Sequence, residues 1–364
     1  MKNDNRCITL NMAVVIAIGL ISIPIVGINQ KVTAQTQEFE RFADWCENRT
    51  ELTPAAQHTV DILLKHIKNQ DCQEADLLLT HLTILNLNSN QIHDVSPLSS
   101  LKGLTELNLR NNLIKDLSPL SSLPNLNTLD LGKDYFWYFD SDLYFESLSN
   151  KESQPKINQI DLHSLSNLTN LTKLNLTGNF IENISPLTSL VNLTELDLSD
   201  NPINDTTSLS SLVNLKKLGL AGNSIKNISP LTSLVNLTEL DLNYNQINET
   251  NSLSSLVNLK KLRLAGNFIE NISPLSSLVN LIELDLSQNN ISDVSSLSSL
   301  ISLTELDLSE SQIIDIYPLS SLVNLNNLDL GYNPQLLDWT CPVEPQSICR
   351  FYARPQKRII LHSR

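Results

Sequence analysis

Carboxylates two residues apart recur down this chain, as Glu195 with Asp197, Glu239 with Asp241, Glu283 with Asp285 and Glu305 with Asp307. Such a pair could perform glycoside hydrolysis, in which one carboxyl protonates the leaving group and the other acts as base or nucleophile. A catalytic pair is a unique feature of its chain. This one comes back in four units, which is what a scaffold requires. The six histidines, His58, His66, His81, His93, His163 and His362, stand mostly singly, and none sits beside a credible nucleophile. No His and Cys spacing fits a metal site. The residues read as non-enzymatic, with no cofactor.

The carboxylate pairs lie in segments such as LTELDL (193–198, 237–242 and 303–308), which alternate apolar and polar residues as parallel strands do. These segments belong to a larger period. Leu79, Leu101, Leu123, Leu168, Leu190, Leu212, Leu234, Leu256, Leu278, Leu300 and Leu322 each open a unit of 22 residues, apart from one interval of 45. Eleven residues after the opening leucine comes Asn90, Asn112, Asn179, Asn201, Asn223, Asn245, Asn267, Asn289 or Asn333, with Ser311 as the substitution. An asparagine carboxamide suits a buried bend, because it can bond main-chain groups of its own turn and of the adjacent unit. The Ser-Pro-Leu-Ser-Ser-Leu segments (96–101 and 118–123) then supply the return crossover that parallel pairing needs.

The pattern Leu-x-x-Leu-x-x-Leu-x-Leu-x-x-Asn-x-Ile resembles the 22-residue leucine-rich repeats of bacterial internalins and of a eukaryotic phosphatase regulator, over roughly 79–332. The whole chain, with its Cys-bearing ends, resembles secreted leucine-rich repeat proteins of cyanobacterial type. The resemblance implies an α/β repeat solenoid: a parallel sheet on a concave face, short 3-10 or turn segments on the convex face, and a cap at each end. It also implies a curved scaffold that binds other macromolecules and carries no catalytic residues.

Both ends fit that expectation. Residues 1–34 hold Lys2 and Arg6, an apolar run from Ala13 to Ile28, and Val32-Thr33-Ala34 as a small-residue cleavage site. This reads as a secretory signal peptide, the alternative being an uncleaved anchor, for which 16 apolar residues are a little short. Without residues 1–34 the chain keeps 22 basic and 38 acidic residues, a net charge of −16, which argues against nucleic acid as partner. Cys46, Cys72, Cys341 and Cys349 remain, and two local disulfides, Cys46 with Cys72 and Cys341 with Cys349, are expected. The expected organisation is a signal at 1–34, a helical cap at 35–78, repeats over 79–335, and a cap with a basic tail at 336–364. Thr53-Pro54 starts a cap helix running to Lys68, and Leu336, Leu337, Trp339 and the Cys341–Cys349 loop cover the far end.

Two places invite a partner. The 45-residue interval carries Tyr135, Phe136, Trp137, Tyr138, Phe139, Tyr144 and Phe145, seven of the 18 aromatics of the chain. They either seal an irregular repeat as a satellite cluster or anchor a partner. Ile157, Ile160 and Leu162 resume a strand-like pattern there, so a shortened extra repeat is also possible. On the concave face, Lys173, Glu195, Lys217, Glu239, Lys261 and Glu283 alternate in sign, so that each Lys between them lies between two Glu. Toward the C-terminal end Glu283, Asp285, Glu305, Asp307 and Asp329 form an acidic patch, suited to a partner with a basic surface and less so to calcium. Function is expected to be recognition of a protein by a secreted, periplasmic or surface scaffold. A polysaccharide binder or a structural envelope component is the alternative.

Overall fold

The computed structural model describes residues 39–134 and 160–352. In each repeat a strand of three residues forms around a central buried leucine. The strands are β1 (Ile84–Asn86), β2 (Glu106–Asn108), β3 (Thr128–Asp130), β4 (Lys173–Asn175), β5 (Glu195–Asp197), β6 (Lys217–Gly219), β7 (Glu239–Asp241), β8 (Lys261–Arg263), β9 (Glu283–Asp285), β10 (Glu305–Asp307), β11 (Asn327–Asp329) and β12 (Cys349–Arg350). They join in chain order into one open parallel sheet. Except at β3–β4 and β11–β12, residues 22 positions apart face each other, as Glu195 faces Lys217, and the framework leucines therefore stack in rows. Leu190, Leu193, Leu196, Leu198, Ile203 and Leu209 of a single repeat are all buried. Each such side chain gains about 1.5–3 kcal/mol from leaving water, but only once a neighbouring repeat covers it.

The strands are short because the chain turns off the sheet three residues later. One residue before the framework asparagine, the backbone enters the left-handed region at Asn111, Asp200, Tyr244, Gln288, Glu310 and Tyr332, and at Gly178, Gly222 and Gly266. The asparagine holds that bend. Asn223 Nδ2 donates to Leu198 O at 3.1 Å and Leu220 O at 3.0 Å, and its Oδ1 accepts the Ile203 N–H at 3.0 Å. The crossover is a single 3-10 turn, such as Ser185–Ser189, whose first N–H is held by Asn183 Oδ1 at 2.9 Å. Serines link these turns, as Ser189 Oγ donates to Ser166 O at 3.0 Å.

Three helices precede β1: α1 (Phe42–Glu47), α2 (Pro54–Ile67) and α3 (Cys72–Thr80). Thr53 caps α2 by accepting the Ala56 N–H, with Pro54 in the first turn. Val60, Leu63 and Leu64 of α2 are buried, and Thr59 Oγ1 donates to Asp94 O of the first repeat at 2.6 Å. The Cys46–Cys72 disulfide ties α1 to α3. Beside it the buried Asp76 carboxylate accepts the Arg41 guanidinium at 2.9 Å and the Ala43 N–H at 3.2 Å.

Two expectations change. β3 pairs directly with β4, Thr128 opposite Lys173, so no strand stands between those two in the sheet. Ile160 and Leu162 are buried beneath the 3-10 segment Leu162–Asn167, where their apolar spacing serves the return path of the same repeat. Ile157 lies outside the described residues. At the far end the Cys341–Cys349 disulfide does more than close a loop, because Cys349–Arg350 adds a twelfth strand beside β11. Arg350 therefore belongs to the sheet and not to a tail. Leu336 is buried there, but Leu337 is 82% exposed, so Leu337 does not cover the core.

Candidate interaction surface

The first row of the sheet face alternates in sign, yet its ion pairs run one way. Lys173 reaches Glu195 at 3.1 Å, Lys217 reaches Glu239 at 3.0 Å, and Lys261 reaches Glu283 at 2.6 Å. Among the described residues the intervening steps, Glu195 to Lys217 and Glu239 to Lys261, form no ion pair. A lysine has one charged head and settles on one neighbour, so the expected ladder resolves into separate rungs. Such exposed pairs contribute about 0–1 kcal/mol each.

In the second row Arg263 lies 3.8 Å from Asp241 and 3.7 Å from Glu283. Glu283, expected in the acidic patch, is therefore doubly paired by Lys261 and Arg263. Glu305, Asp307 and Asp329 have no ion-pair partner among the described residues. Burial pushes the Asp285 carboxyl above its ordinary range, and Asp307 adds to the shift against the Ser287 bonds and Arg263. The Asp329 carboxyl is likewise raised by burial and by Asp307, although the Gly331 N–H and Arg350 oppose it. This end of the face holds its carboxylates at a cost in solvation.

Ser199, Ala221 and Ala265 make a third row, and a fourth, not evident in the strand pattern, lies at the left-handed position before the framework asparagine. Asp200 leans over Gly222, and a Cβ there would come within 2.4 Å of its Oδ1. Tyr244 leans over Gly266, where a Cβ would lie 2.5 Å from Cδ1 of the ring. Burial raises the Asp200 carboxyl, and Asp197 and Asp241 add repulsion. The signal was present in the alternation of Ala-Gly-Asn with Ser-Asp-Asn and Asn-Tyr-Asn at this site. It gives the face an aromatic, Tyr244, which is 57% exposed.

The seven clustered aromatics, Tyr135, Phe136, Trp137, Tyr138, Phe139, Tyr144 and Phe145, lie outside the described residues. Asp134 stands where a framework asparagine would, and it is turned outward. It accepts from Arg110 and from Asn111 Nδ2, the latter at 2.8 Å, and these bonds hold its carboxyl below the usual range. Its own N–H donates to Asn111 Oδ1 at 2.7 Å. Among the described residues no three His, Cys, Asp or Glu side chains converge to hold a metal ion. No helix there is long and apolar enough to cross a membrane.

Residues 80–122, 102–137, 169–211, 213–256 and 257–299 match the family model for leucine rich repeats in two copies. Comparison with curated proteins finds no match. Among solved structures, an internalin (inlF) from Listeria monocytogenes is 34% identical, over 70% of this chain and 69% of that one, with a TM-score of 0.60. The functional domain of InlJ from Listeria monocytogenes is 21% identical, over 86% of this chain and 61% of that one, with a TM-score of 0.60. A leucine-rich repeat protein of Leptospira interrogans is 19% identical, over 88% of this chain and all of that one, with a TM-score of 0.56. The latter two speak for the fold alone. With more than half of its residues matched by the repeat model, and with the internalin aligned over two thirds of both molecules, the chain belongs to the leucine-rich repeat family.

Proposed function

We propose that the protein is a non-enzymatic recognition scaffold, secreted or held at the cell surface, that captures a protein with a basic surface. The observation that carries this reading is the end of the ion-pair series. Lysine or arginine pairs with the carboxylates as far as Glu283, whereas Glu305, Asp307 and Asp329 form no ion pair among the described residues, although Arg350 stands across the sheet from Asp329. Twelve strands about 4.8 Å apart make a face long enough for the roughly 800 Å² per partner of a standard protein interface. The aromatic segment 135–145 supplies the anchors that the face mostly lacks, since aromatic side chains dominate binding hot spots. Export is supported by the leader-like residues 1–34 and by two disulfides, which persist in oxidising compartments.

The self-paired rungs from β4 to β9 favour a second reading, a structural envelope component without one specific ligand. Affinity capture from the envelope of the producing cells separates the two. The intact protein should retain a partner that is lost from a variant lacking residues 135–145, and weakened about tenfold or more by Glu305→Lys with Asp329→Lys. Equal capture by all three proteins would reject the recognition site.

A further inference from the structure

Two asparagine series stitch each repeat to the one before it. The framework asparagine binds the preceding repeat inside the bend, as Asn201 Oδ1 accepts the Ile181 N–H at 2.9 Å. A second asparagine, two residues after each opening leucine, works at the rim. Asn192 Nδ2 donates to Thr169 O at 2.9 Å and Asn214 Nδ2 to Val191 O at 2.9 Å. From β4 to β9 both stitches are present at every junction. Nearer the N-terminus each junction keeps at least one, with Asn112 between β1 and β2, Asn125 between β2 and β3, and Asn170 between β3 and β4.

Between β9 and β10 both are gone. Ser302 and Ser311 occupy the two positions. Ser311 Oγ is buried without a partner among the described residues, and no side chain among them binds the Ile291 N–H or Val279 O. Charge fails at the same place, because Glu305 faces Glu283 and Asp307 faces Asp285. From β4 to β9 no like charges face each other in either row. At the β10–β11 junction Asn324 and Asn333 restore both stitches, and only Asp307 with Asp329 is alike. Like charges directly opposite in a sheet destabilise the pairing.

We propose that the solenoid parts at the β9–β10 junction, so that residues 300–352 open and close as one module on the remainder. In a stack whose units touch only their neighbours, cooperative opening begins at the weakest interface. Ser321 Oγ still donates to Ser298 O at 2.8 Å, Thr304 Oγ1 to Ile282 O at 3.2 Å and Gln288 Nε2 to Glu310 Oε1 at 3.3 Å, and with the main-chain bonds of the sheet these keep the module hinged.

Hydrogen exchange of the full chain, followed by mass spectrometry, tests this. Peptides from 303–352 should exchange together and faster than those from 193–286. Combining Ser302→Asn, Ser311→Asn and Glu305→Lys restores the stitches and the alternation of charge, and should slow exchange of 303–352 about tenfold without changing 193–286. Asn236→Ser with Asn245→Ser should move the boundary to the β6–β7 junction. One exchange rate across residue 300 in the unaltered protein, or no response to the restoring variant, would overturn the proposal.

Discussion

At the scale of single residues, a buried framework asparagine such as Asn223 joins main-chain groups of its own repeat to those of the one before it. Asn223→Ala would leave the buried Ile203 N–H unpaired, at about 1–3 kcal/mol, while Leu198 O and Leu220 O would keep the Asn201 and Asn245 carboxamides. Urea unfolding should therefore show a loss of about 1–3 kcal/mol. A loss below 1 kcal/mol, of the order of one ordinary hydrogen bond, would contradict that account. The glycines of the fourth row obey a different constraint. Gly266 has a φ of +65°, and its missing Cβ is the space that Tyr244 fills. Gly266→Ala should destabilise by about 1–3 kcal/mol through backbone strain and displacement of the ring. Adding Tyr244→Ala should recover the steric part only, which a double-mutant cycle would measure.

At the scale of elements, the two ends are secured by unequal means. The Cys46–Cys72 bridge spans 26 residues and the Cys341–Cys349 bridge spans 8. Loop-closure entropy then assigns them about 3.5 and 2.5 kcal/mol. Replacing each cysteine pair by serines in separate variants should lower thermal stability more for the first, as calorimetry would show, and a larger loss from the second would reject this ordering. These caps also mark how far the sequence could be read. The helix from Thr53-Pro54 and both cysteine pairings were legible because capping and short-range pairing are local. The twelfth strand was not, since Cys349 and Arg350 have no repeat pattern and become a strand only because β11 leaves an edge to cover. Ile160 and Leu162 misled for the related reason that a short apolar spacing fits a strand and a 3-10 return equally. On the candidate site, the acidic end of the face could be listed from the period, but Glu283 was counted there because sequence spacing cannot say which glutamate a lysine chooses. The left-handed row was overlooked because its side chains act only once a glycine one repeat away makes room.

At the scale of the whole molecule, the carboxylates of the sheet face act together on stability against pH. Burial raises Asp200, Asp241, Asp285 and Asp329 above their ordinary value in the folded protein, with Asp197 and Asp307 adding repulsion. A carboxyl whose folded value is raised binds its proton more tightly folded than unfolded. Its favourable contribution is complete below the unfolded value and is lost as pH rises through the folded one. Hydrogen bonds act oppositely on Asp134, Asp205, Asp293 and Asp338, whose lowered values make their contribution present above the unfolded value and lost as pH falls. The two groups act in adjoining windows. Protonation of the acidic face comes first on acidification, and it is reinforced by relief of a net charge of −14 on the full sequence. The melting temperature at low salt should therefore rise as pH is lowered from neutrality toward the ordinary carboxylate range, then fall as the hydrogen-bonded aspartates are protonated below it. Asp241→Asn, Asp285→Asn and Asp329→Asn together should raise the value at pH 7 and flatten the rise, while salt, by screening the same repulsion, should reduce the difference between the two proteins. A melting temperature that declines steadily from pH 7 in the unaltered protein would show that these carboxylates are not held against their own repulsion.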